Sequence, residues 1–311
     1  KEHSGTAGLV HGLDIEFFAF DPEEMTLDVD KTKAKVEDLK SQGKLPKIAM
    51  FGGSVFLFPH PVKELSEFLK GHGMHINYDA AHVAGLIAGG KFQDPLREGT
   101  DTMTMSTHKT LFGPQGGLVI GSEEHAEPIK KAMFPGLTSS HHIHHMGAKA
   151  VAFAEALEFG KDYAEQTIKN AKALASELNN VGFKVLGEKR GYTESHQTVV
   201  NVLDYGDGGT IEADLEKANI IVNRQLIPGD LKAGRHYMHP GGIRLGTSEI
   251  TRLGMKESEM KEIASLLKQV VVDKKDAGEI AARVKEFKTD FKKTQYCFDN
   301  KLGAYEYVKL R

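Results

Sequence analysis

The chain has 311 residues, 40% of them hydrophobic and 27% charged, with a net charge of −3 from 40 Lys+Arg against 43 Asp+Glu. That length suits one large or two ordinary globular domains, and no basic excess marks a nucleic-acid binder or a protein drawn to anionic membranes. No apolar run approaches the roughly 20 residues of a membrane-spanning helix, no signal peptide opens the chain, and the single cysteine, Cys297, cannot form an internal disulfide, which suits a reducing, cytoplasmic compartment.

In chain order, DIEFFAF (Asp14 to Phe20) reads as a strand, followed by a turn-rich DPEEMTLDVD and a polar helix from about Asp30 to Ser41. PKIAMFGG (Pro46 to Gly53) is a short apolar run ending in glycines, the pattern of a buried parallel strand. VKELSEFLKGHG (Val62 to Gly73) has apolar residues at helical spacing and a glycine stop. MHINYDAAH, DTMTMST (Asp101 to Thr107) and GGLVIGS (Gly116 to Ser122) supply three more strands, with GPQGG (Gly113 to Gly117) read as the turn that feeds the last of them. A helix from about His142 to Phe159, closed by Gly160, precedes a more polar helix over Tyr163 to Leu178.

Strands alternating with helices predict an α/β layer with a mainly parallel sheet over residues 1–150. From 151 to 311 the texture changes. GFKVLG, QTVVNVLD and IRLGT are short strands among helices, and Met255 to Val272 carries an apolar helical stripe, so a smaller α+β domain is expected there.

Ligands of open α/β sheets bind at the carboxyl ends of strands. In this sequence Ser54 follows MFGG, Asp79 follows INY and Lys109 follows TMST. In pyridoxal phosphate chemistry a lysine forms the Schiff base, a carboxylate holds the pyridine nitrogen protonated, and an arginine fork grips the substrate carboxylate. Lys109, Asp79 and Arg244 of GGIRLGT supply those three groups. Singly, such an aspartate is also a common cap or ion-pair partner, and such a lysine a solvated side chain; the joint pattern carries the reading.

YDAAHVAGLIAGG (Tyr78 to Gly90), STHKTLFGPQGG (Ser106 to Gly117) and GGIRLGTSEITRLGM (Gly241 to Met255), in that order and spacing, resemble serine hydroxymethyltransferase over nearly the whole chain. FLFPHP (Phe56 to Pro61) and the histidines of SSHHIHH look closest to the archaeal-type branch of that family. The resemblance implies a fold-type I pyridoxal-phosphate-dependent transferase (aspartate aminotransferase-like) with a smaller C-terminal domain. It implies pyridoxal 5′-phosphate as cofactor and interconversion of serine and glycine, the one-carbon unit passing to a reduced pterin. By the same resemblance Lys109 is the Schiff-base lysine and Asp79 the partner of the pyridine nitrogen. Ala81 packs on the ring, His82 reaches the phenolic oxygen and the substrate, and Ser106 and His108 line the cofactor. Ser54 lies near the phenolic oxygen, and Arg244 holds the amino-acid carboxylate. Gly136 and Ser139 are implied to reach the phosphate of a neighbouring subunit, which makes a homodimer with shared sites.

The family begins well before the segment matched by Lys1, so a stretch carrying a proton-transfer glutamate, tyrosines and a phosphate cup is expected to be missing. His3 reads as a solvated terminal histidine rather than a ring-stacking one. His141, His142, His144 and His145 read as a loop at a helix start, and no metal site is expected. Gln225 stands where most relatives have an asparagine that helps hold the pterin, which leaves open tetrahydrofolate and the methanogen-type pterin. The alternatives are a threonine or allo-threonine aldolase, a transaldolase of the same fold, or a catalytically inactive truncated relative.

Overall fold

The computed structural model describes residues 12–299 and 303–304; His3 lies outside them. The chain divides into two compact units, residues 1–87 with 92–153, and residues 88–91 with 154–311.

In the first unit, two-residue strands β1 (Phe20–Asp21) and β2 (Thr26–Leu27) form a small antiparallel ladder. The strand expected over Asp14 to Phe20 is thus reduced to its last residue. The preceding segment is fixed by side chains instead: Phe18 stacks on Phe51 with ring centroids 5.1 Å apart, and Lys35 Nζ donates to Phe17 O at 2.9 Å. Helix α1 (Val29–Ser41) is capped by Asp28, whose carboxylate accepts from Lys31 N, and it buries Thr32, Val36 and Leu39 on one face.

A four-stranded sheet follows, β3 (Ile48–Gly52), β4 (His75–Asp79), β5 (Thr102–His108) and β6 (Phe112–Gly121), in that spatial order. Helix α2 (Val62–Gly71), which buries Val62, Leu65, Ser66 and Leu69, joins β3 to β4; the short helices α3 (Ala84–Ala88) and α4 (Pro95–Glu98) lie between β4 and β5. These crossovers make β3, β4 and β5 parallel, as expected. β6 instead runs antiparallel to β5. Only Lys109 to Leu111 separate the two strands, too few for a crossover. GPQGG is therefore part of β6 and not a turn leading into it. Phe51, Phe56, Phe58, Leu65, Leu69, Ile76, Tyr78 and Leu86 are almost wholly buried and form the core of this unit.

Helix α5 (Ala126–Lys131) and a helical turn over Ala132–Leu137 precede α6 (Ile143–Asn180), a single 38-residue helix. Sequence reasoning divides α6 at Gly160, yet the helix runs through. Gly160 serves packing: it is buried against Gly89, where an added Cβ would overlap Gly160 O. The second unit holds an antiparallel sheet of β7 (Lys184–Val185), β8 (Gln197–Asn201), β9 (Asn223–Gln225) and β10 (Gly242–Gly246), ordered β7-β8-β10-β9. Helices α7 (Gly208–Lys217), α8 (Ser248–Arg252), α9 (Glu257–Val271) and α10 (Ala277–Phe287) complete it. Leu178, Val200, Ile211, Leu215, Ile243 and Leu267 belong to its core.

Candidate active site

Three parallel strands end side by side. In register, Gly52 faces Asp79 and Asp79 faces Thr104. Gly53 N donates to Asp79 O at 3.4 Å, and Ala80 N donates to Thr104 O at 2.8 Å. The carboxyl edge therefore gathers the residues that leave each strand: Ser54 after β3, Asp79, Ala81 and His82 at and after β4, and Ser106, His108 and Lys109 at and after β5. All but the exposed His108 are half-buried.

Each side chain is held by a definite local device. Asp79 Oδ1 accepts from Ala81 N at 3.0 Å, which fixes the orientation of its carboxylate. β3 approaches this point closely because position 52 is glycine: its φ is +92°, and a Cβ there would overlap the carbonyl of Asp79. Thr110 is 1% exposed, and its Oγ1 donates to His82 O at 2.8 Å and accepts from Gly85 N at 3.0 Å. This bond ties the residue after Lys109 to the segment after Asp79, so the lysine and the aspartate are held on neighbouring strand ends. Thr107, fully buried, donates to Pro114 O at 2.7 Å and closes the hairpin. His108 Nδ1 accepts from Gly116 N at 3.4 Å, which orients the ring.

Sequence reasoning missed a buried network under the same edge. His60 Nδ1 accepts from Gly52 N at 3.1 Å, and its ring lies 4.8 Å from Phe56. Gln93 answers His60 on both sides: Oε1 accepts from His60 N at 3.0 Å, and Nε2 donates to His60 O at 3.0 Å and to Glu98 Oε2 at 2.6 Å. Tyr78 OH donates to the same Oε1 at 2.7 Å. Burial pushes the His60 pKa down to about 4, and burial with the nearby Glu98 and Asp79 charges pushes the Tyr78 phenol well above its ordinary range. Both are neutral polar groups that fix the turn bearing Ser54. The only sequence signal was a histidine in an aromatic, proline-bearing run.

Gly136 lies in the exposed turn Ala132–Leu137, whose end is closed by Thr138 N donating to Met133 O at 2.8 Å; it is not among the strand-end residues. The rings of His142, His144 and His145 are 4.5 to 5.4 Å apart. Among the described residues no group of three or more His, Cys, Asp or Glu is arranged to hold a metal ion, and no helix is long and apolar enough to cross a membrane. A surface hollow of about 470 Å³, lined by Lys33, Glu37, Phe68 and His72 among others, contains none of the candidate residues.

Arg244 belongs to the second unit. It sits in the middle of β10 rather than at its start, facing Val199 on one side and Asn223 on the other. Its Nη2 donates to Asn223 Oδ1 at 3.0 Å, and burial lowers the guanidinium pKa. The loop before β10 is pinned by Asp230, 2% exposed, whose Oδ2 accepts from Ile227 N at 2.9 Å and Gly241 N at 2.8 Å. Gln225 turns its amide to Leu226 O at 2.8 Å.

A family model described as serine hydroxymethyltransferase matches residues 7–267. The chain belongs to the serine hydroxymethyltransferase family. It is 77% identical over all 311 residues to the serine hydroxymethyltransferase of Nitrosopumilus maritimus, of which it spans 71%, and 74% identical to that of Cenarchaeum symbiosum, of which it spans 70%. Among solved structures, L-threonine transaldolase from Pseudomonas fluorescens superposes with a TM-score of 0.83 at 30% identity, covering 96% of this chain and 66% of that one. The expected fold class holds, fold type I of the pyridoxal-phosphate enzymes, with the sheet mixed where β6 turns back.

The donor set fits the cofactor of this family, pyridoxal 5′-phosphate. A fixed carboxylate, a lysine and a histidine stand at one parallel-sheet edge, which is the chemistry needed for a pyridinium, an aldehyde carbon and a phenolic oxygen.

Proposed function

We propose that this chain interconverts serine and glycine with pyridoxal 5′-phosphate and passes the one-carbon unit to a reduced pterin. One observation carries the reading. Thr110 bonds His82 O, so Lys109 and Asp79 share one strand edge in a serine hydroxymethyltransferase-family chain. The cofactor supplies an electron sink for the pair released when the Cα–Cβ bond of serine breaks.

Each residue then has a task. Asp79 holds a proton on the pyridine nitrogen. Lys109 supplies the amine for the cofactor aldehyde and a base near the substrate. His82 and Ser54 bind the phenolic oxygen, Ala81 covers one face of the ring, and Ser106 and His108 line the lysine side. Arg244 grips the amino-acid carboxylate with its planar fork. Residues 1–150 act as the cofactor domain and 151–311 as the small domain. The working form is a cytoplasmic homodimer in which Gly136 serves the partner's site. Exposed Phe134 (63%), Leu137 (73%), Ile143 (76%) and Leu157 (90%) supply apolar surface for that contact. Tetrahydrofolate and the methanogen-type pterin are both candidate carriers.

The transaldolase match favours a second reading, glycine exchange onto an aldehyde without a pterin, at much lower identity. Labelled serine separates the two. Incubation of the cofactor-loaded protein with each reduced pterin should release glycine at a rate that depends on one of them. Label passing from serine to a new β-hydroxy amino acid on addition of an acceptor aldehyde, with formaldehyde set free and no dependence on any pterin, would support the transaldolase reading instead.

A further inference from the structure

A guanidinium that is to grip a carboxylate needs a fixed orientation and its full charge. Neighbouring arginines of the second unit are held by anions. Arg224, on β9, pairs with Glu212, whose Oε1 also accepts from Arg224 N at 3.0 Å. Arg235 lies 3.7 Å from Asp230. Arg244 Nη2 donates to the neutral amide oxygen of Asn223 at 3.0 Å. The register brings these two side chains together. Asn223 and Arg244 are direct cross-strand partners of β9 and β10, so they project from the same face of the sheet.

We propose that Asn223 is the positioning residue of Arg244, orienting its guanidinium toward the amino-acid carboxylate without neutralising it. The inference rests on the assignment of Arg244 to that carboxylate. A carboxylate at position 223 would orient the fork equally well, but it would occupy it as an ion pair and compete with the substrate. An alanine would leave a long, half-buried side chain with one anchor fewer. The two substitutions therefore have an order that simple packing does not predict: if residue 223 only fills space, aspartate is the better replacement.

The test uses the cofactor-loaded protein and calorimetric dissociation constants for glycine and for glycinamide, which keeps the amine and replaces the carboxylate by a neutral amide. Asn223→Ala should weaken glycine about tenfold while glycinamide moves by less than about twofold, the loss of one hydrogen bond to a charged partner. Asn223→Asp should weaken glycine further, by about a hundredfold, through the ion pair it makes with Arg244. The serine KM should rise more than kcat falls, and the thermal unfolding midpoints should stay close to that of the parent. Unchanged glycine binding in Asn223→Ala, parental binding in Asn223→Asp, or equal losses of glycine and glycinamide would each overturn the proposal. Arg244→Ala separates the layers. If it abolishes glycine binding while the Asn223 variants do not weaken it, only the role of Asn223 falls. If it spares glycine, the carboxylate assignment falls and takes the proposal with it.

Discussion

In the proposed site Lys109 and Asp79 serve opposite ends of one ring system, and substitution separates their tasks. Lys109→Ala removes the only covalent handle assigned to the cofactor, so the visible absorbance of protein-bound pyridoxal phosphate should be lost on dialysis; a persisting band would place the handle elsewhere. Asp79→Asn keeps an oxygen able to accept from Ala81 N but no longer holds a charge at the pyridine nitrogen. Cofactor should still bind, and kcat should fall by about 10²–10³, the scale of losing one preorganised electrostatic partner. His60 makes a different prediction at this scale. Burial places its folded pKa near 4 against an ordinary 6.5. The unfolded chain therefore takes up a proton between these values that the folded chain refuses. Stability from this group is fully present above pH 6.5, declines as pH falls toward 4, and is flat below; the total is at most about 3 kcal/mol. Denaturant titrations at pH 7.5, 5.5 and 4 should show a shallower decline in His60→Asn than in the parent, and parallel slopes would refute the neutral-histidine account.

Elements position these residues through close approaches that single substitutions can test. In Gly52→Ala, the new Cβ would meet the backbone of Asp79 and the backbone would have to keep a φ of +92°. Neither contact partner is a flexible side-chain tip, so the variant should lose about 2–3 kcal/mol of stability and bind cofactor more weakly. Binding and unfolding measurements both at parental values would mean that β3 does not brace Asp79. The site was legible where polar residues ended apolar runs, since strand polarity and period-two burial put Ser54, Asp79 and Lys109 at one edge. Helices α1 and α2 were legible as well, since their buried residues recur every three or four positions, whereas the short α3, α4 and α5 were not read from the sequence. The misreadings share a cause. Gly160 looked like a helix stop because the sequence does not show Gly89 packed against it. GPQGG looked like a turn because of its proline and glycines, yet it lies within β6. The roles of Asn223, Gln93 and His60 were not read because each has a partner 21 to 33 positions away.

At the scale of the whole molecule, the α6 helix carries apolar side chains that the described residues leave exposed. Ile143, Met146 and Leu157 are 76%, 53% and 90% exposed and fall on one face at helical spacing. Single exposed apolar residues are ordinary, but a stripe of them on one helix is the kind of surface that a partner covers. The homodimer proposed above would cover it and would also account for the exposed turn bearing Gly136, which the family resemblance assigns to a partner's phosphate. Leu157→Glu would bury a carboxylate against apolar partners, so it should weaken self-association by about a hundredfold and shift sedimentation toward the monomer at micromolar protein. Cofactor affinity should fall with it, because a site that borrows Gly136 is incomplete in one copy. Undiminished association would release this stripe from the dimer contact. Monomers that keep parental cofactor affinity would show that each chain completes its site from its own residues.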